Sequence, residues 1–197
     1  LNWDTPWTAG AQFSAICVFS ATQLVNKEKE ENIKNLYSYL NKIVDYESGF
    51  YHKDIPVNDR ELINGAMKVI TGLDWINRPI HYPEKIIDFC LKHEPNPEGC
   101  DIVDTVYVLF KCFQQSEYKR EEINHYFDNV KIIISEHFNA EYNSFSYYKE
   151  KSQDYYYGLK ITEGRKEPDI HGTTLLLWAM SMIYNFQGKK EYKIIKP

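Results

Sequence analysis

Four stretches of this sequence place polar, chemistry-bearing side chains just ahead of long apolar runs. "PDIHGTTLLLWAM" (168–180) offers Asp169, His171, Gly172 and two threonines. "GCDIVDTVYVLF" (99–110) offers Cys100, Asp101 and Asp104. "ELINGAMKVI" (61–70) offers Asn64 and Lys68, and "LNWDTPWTAG" (1–10) offers Trp3, Asp4 and Trp7. Asp101 and Asp104 fall on one face of a helix, one turn apart. A carboxylate pair at that spacing can split its pKa values and divide acid from base. The plainer reading makes Asp101 a helix cap and sets Asp104 favourably in the N-terminal dipole. His171 fits a general base, a ligand or a hydrogen-bond donor to substrate. It also fits a helix-start imidazole bonded to a loop carbonyl, with Asp169 as the cap.

Lys68 is the most informative single charge, because it interrupts an otherwise apolar run. It can draw in an anionic ligand or partner an aspartate, or it can snorkel to water. Trp3, Asp4 and Trp7 would make an aromatic platform with a carboxylate, the usual furniture of a sugar subsite. Alternatively, Pro6 sets a helix entry and both tryptophans pack. Cys100 sits at a helix start, where a thiolate is stabilised, yet a lone cysteine is more often a small buried residue.

Composition narrows the class. The chain has 197 residues, 43% hydrophobic and 26% charged, which suits one globular domain, 1–197. A net charge of −5 with scattered basic residues argues against a nucleic-acid partner. No apolar run reaches membrane-spanning length, so no membrane partner is expected. Four cysteines without a CxxC pair argue for a reducing, cytoplasmic compartment. The chain begins "LNWDTPW", without Met, and reads as a piece of a longer parent whose targeting segment could be lost. Oligomeric state is open.

The elements that must position these residues are helices. Periodicity predicts seven, over 9–25, 28–45, 61–76, 84–93, 101–115, a sixth carrying a stripe from Ile123 to Phe138, and 170–186. The first, third, fifth and seventh are apolar on nearly all sides, which marks buried helices. The second and sixth are amphipathic, with Ile33, Leu36, Leu40 and Ile43 on one stripe and Ile123, Phe127, Val130, Ile134 and Phe138 on the other. The order is inner, outer, inner, outer, inner, outer, inner. The expected fold is all-α, with helical hairpins in a partial α/α toroid. Residues 139–169 form a long connection with six tyrosines, expected to be an ordered lid or rim, with room for a short hairpin.

Two inner helices follow aromatic turns. "YESGFY" (46–51) precedes Asn64-Gly65, and "EYNSFSYY" (141–148) precedes His171-Gly172. A "GGF"-like turn followed by an inner helix of the form "H-x-T-x-x-x-L" resembles the repeat of the terpenoid cyclase and protein prenyltransferase α/α-toroid superfamily. The architecture also resembles the six-hairpin glycosidases and toroid polysaccharide lyases. The resemblance implies a barrel of about twelve helices, of which seven are present here. It also implies zinc held by Asp, Cys and His near inner-helix starts, where Cys100, Asp101 and His171 stand. This sequence reads Cys100-Asp101 in place of the family's D-x-C order, and the cyclase DxDD motif is absent. Without the resemblance, no metal or other cofactor is expected.

The mixture of Trp, Tyr, carboxylate, Lys and His suits a saccharide or another polar small molecule. In that reading Asp101 or Asp104 is the acid or base, His171 its partner and Lys68 the charge stabiliser. Asn64, Trp3, Asp4 and Trp7 would contact ligand. The alternatives are an isoprenoid-binding enzyme and a non-catalytic binding or scaffold domain.

Overall fold

Helix boundaries follow from caps and prolines. A computed structural model describes residues 1–53 and 57–189. Helix α1 is Pro6–Gln23, starting at the proline that sets its first turn. Helix α2 is Asn26–Leu40. Helix α3 is Asp59–Trp75, where the Asn58 side chain accepts from the Glu61 N–H. Helices α4 (Pro83–Cys90), α5 (Gly99–Ser116), α6 (Arg120–Ser135) and α7 (Ile170–Phe186) follow. Four two-residue strands complete the described residues. Strand β1 (Phe138–Asn139) pairs antiparallel with β2 (Ser144–Phe145), and β3 (Tyr155–Tyr156) with β4 (Leu159–Lys160). The protein is thus predominantly helical.

The chain forms two compact units. The first comprises Leu1–His93 with Lys111–Lys119, and the second comprises Glu94–Phe110 with, among the described residues, 120–189. Helix α5 contributes its first twelve residues to the second unit and its last six to the first.

In the first unit, α1 crosses α3 at glycines. A Cβ on Gly10 would lie 2.8 Å from the Gly65 carbonyl oxygen, and one on Gly65 would lie 2.8 Å from the Pro6 carbonyl carbon. Glu61 ties the same pair, since its Oε1 accepts from the Trp7 N–H at 2.9 Å. The 111–119 segment is held by Lys111 to Asp74 (3.0 Å), Lys119 to Asp88 (2.6 Å) and Gln115 to both backbone groups of Ile80.

In the second unit, every residue from 101 to 110 is buried, as expected for a helix apolar on nearly all sides. Helix α6 buries Ile123, Phe127, Val130 and Ile134 along its apolar stripe. Phe127 meets Phe186 of α7 edge to face.

Three expectations are corrected. Helices α1 and α7 are not covered on all sides, because Phe19 and Leu177 are each about half exposed. Helix α2 stops at Leu40, and residues 41–45 turn into an isolated bridge between Val44 and Tyr51. The sixth stripe does not reach Phe138, because the helix ends at Ser135 and Phe138 pairs with Phe145 in the hairpin. The 139–169 connection carries part of one hairpin and the whole of another, with Tyr157 and Gly158 both at positive φ in the second turn.

A histidine–tyrosine cluster at the start of helix α7

Asp169 organises the opening of α7. Its Oδ1 accepts from the Gly172 N–H at 2.7 Å, capping the helix. Its Oδ2 accepts from the backbone N–H groups of Tyr147 (2.8 Å) and Gln153 (3.1 Å). One carboxylate therefore satisfies three backbone donors and draws the 145–153 segment against the helix. Thr173 adds a reciprocal pair, accepting from the Phe145 N–H and donating to its carbonyl.

Glycine makes that approach feasible. A Cβ on Gly172 would sit 2.5 Å from the Ser146 carbonyl carbon and 2.7 Å from Tyr147 Cα. At the start of α5, a Cβ on Gly99 would sit 2.9 Å from Tyr147 Cδ2. Gly99 and Gly172 thus both make room for Tyr147.

Tyr147 is 5% exposed and stacks on His171 with ring centroids 5.2 Å apart. Cys100, Glu98 and Asp101 are its electrostatic neighbours. Burial, reinforced by these neighbours, pushes its pKa well above the ordinary tyrosine value. His171 Nδ1 lies 2.7 Å from Gln153 Oε1. With the amide oxygen as acceptor, Nδ1 carries the hydrogen and Nε2 the basic lone pair. Tyr156 meets the same imidazole edge-on.

Asp101 and Asp104 are each 3% exposed. Carboxylates so far from water cost several kcal/mol unless paired or hydrogen-bonded. Among the described residues no group of three or more His, Cys, Asp and Glu side chains is placed to hold a metal ion. Cys100, Asp101 and His171 therefore do not come together as a zinc ligand set.

No match is found for this chain among protein-family profiles, curated proteins or solved structures.

The other sequence candidates belong to the first unit. Trp3 is 1% exposed; it donates through Nε1 to the Tyr39 hydroxyl at 2.7 Å and packs near Phe13. Asp4 is exposed and Trp7 half-buried. Asn64 and Lys68 share a half-buried stripe of α3 with Thr71 and Trp75.

Sequence reasoning placed Tyr147 among rim tyrosines and missed its central place. The signal was the pair of glycines at the starts of α5 and α7, a space that a bulky neighbour explains. Gln153 left no comparable trace, because it is recruited through Asp169.

Proposed function

We propose that the starts of α5 and α7 in the second unit carry the acid–base site of an enzyme acting on a saccharide or another polar small molecule. The observation that supports this is the burial of Asp101 and Asp104, one turn apart, in the unit that also holds the Tyr147–His171–Gln153 cluster. Asp101 or Asp104 exchanges a proton with substrate as acid or base, and His171, through Nε2, is its counterpart. Tyr147 holds the imidazole plane by stacking, and Tyr156 and Tyr157 supply aromatic surface for a sugar ring. The alternation of apolar and amphipathic helices along the sequence supports an α/α-toroid plan for the chain.

The test is a panel of oligosaccharides and polysaccharides, scored for new reducing ends (hydrolysis) and for unsaturated products (elimination). Turnover of a panel member should vanish in Asp104→Ala and in His171→Ala, with thermal melts retained. Turnover unchanged in both variants overturns the assignment. Saturable binding with no turnover points instead to a binding domain.

A further inference from the structure

Gln153 is a buried polar residue in irregular chain, and its backbone is held on both sides. Its N–H donates to Asp169 Oδ2 at 3.1 Å, and its carbonyl accepts from the Thr162 hydroxyl at 2.7 Å. Thr162 is fixed in turn. Its Oγ1 accepts from the Gly164 N–H, and its own N–H donates to the Asp154 carbonyl. The base of the β3–β4 hairpin and the cap of α7 therefore grip one residue between them. A glutamine side chain loses much rotamer freedom on burial. A fixed backbone is what lets it hold a defined target.

That target is His171. The Gln153 amide oxygen lies 2.7 Å from Nδ1. Tyr147 stacks on the imidazole at 5.2 Å, and Tyr156 stands perpendicular to it at 5.8 Å. The aromatic contacts fix the plane of the ring, but rings pack alike against either tautomer. The Gln153 contact discriminates, because an amide oxygen accepts a hydrogen and repels a lone pair. A free imidazole side chain prefers its hydrogen on Nε2, so this contact works against the intrinsic preference.

We propose that Gln153 is a positioning residue that holds His171 as the Nδ1–H tautomer and keeps the lone pair on Nε2. The proposal deepens the acid–base reading and rests on it for its consequence. In that reading Nε2 takes the proton from substrate, whose bonding pair stays behind, and later returns it.

Long-range proton–nitrogen correlation spectra of the ¹⁵N-labelled full chain, recorded in mildly alkaline solution, read the tautomer of each neutral histidine. His171 should show the Nδ1–H form in about tenfold excess or more. Gln153→Met, which keeps the bulk and removes the acceptor, should make it the minor form. Gln153→Glu, an acceptor only, should restore it. His137, whose Nδ1 donates to the Ser146 carbonyl at 2.9 Å, is the internal reference and should stay Nδ1–H throughout. An Nε2–H His171 in the unsubstituted protein overturns the proposal. So does an unchanged tautomer in Gln153→Met, or a change that moves His137 equally, the mark of a merely structural residue. Where a panel oligosaccharide is turned over, Gln153→Met should lower kcat at least about tenfold with KM little changed. A raised KM at unchanged kcat overturns the positioning role. Absence of turnover fails the acid–base reading alone, since the tautomer is read without substrate.

Discussion

Two histidines decide how this protein should respond to acid. His81 is half-buried; its Nε2 lies 2.5 Å from Asn41 Oδ1 and its ring stacks on Tyr37. His137 is buried and tied to Ser146. Desolvation holds both below the ordinary value of 6.5. Between the folded and unfolded values the unfolded chain binds more protons, so stability rises with pH there. The contribution of each is complete above pH 6.5 and is lost progressively on acidification below it. Urea melts between pH 7.5 and 5 should show stability falling below 6.5, by at most about 1.4 kcal/mol per pH unit for each histidine. The double variant His81→Gln, His137→Gln should flatten that slope; an unaltered slope would place its origin elsewhere. The residue types at the candidate site were legible in the sequence, and so was Asp169 as a cap. Its bonds to Tyr147 and Gln153 were not, because they close across 22 and 16 residues of irregular chain.

At the scale of elements, small residues govern how closely backbones approach. Gly172 admits the Ser146–Tyr147 backbone against the first turn of α7, and Gly65 admits Pro6 of α1 against α3. A methyl group at either place meets main chain, which cannot swing aside as a side chain does. Gly172→Ala and Gly65→Ala should each cost about 1–3 kcal/mol, read as a lower melting temperature. Gly158→Ala makes the comparison, since no atom lies within 4 Å of a Cβ there and only the strain of its positive φ remains. Equal losses at all three would mean that close packing is not what Gly65 and Gly172 provide. The sequence pattern marked these glycines as sites of close approach, and "SFSYY" as a turn beside one of them. It did not say that the turn's tyrosine would fill the space.

For the molecule as a whole, the first unit is discontinuous. Residues 1–93 gain Lys111, Gln115 and Lys119 from a segment that lies beyond part of the second unit in sequence. A fragment ending at residue 93 leaves Asp74, Asp88 and the Ile80 backbone without those partners. It should melt broadly and well below the full chain by circular dichroism. A sharp melt at the full-chain temperature would show that residues 111–119 add little. The predominantly helical class and the seven helices of the described residues were determined by the sequence itself. Each rests on local periodicity, which 3.6-residue geometry converts directly into a buried face. Only the tertiary structure decided that Tyr147 and Gln153 flank His171, that Trp3 turns inward, and that the His137 ring is buried against Ser146. Those outcomes depend on contacts between segments distant in the chain, and one chain's periodicity carries no record of which segments meet.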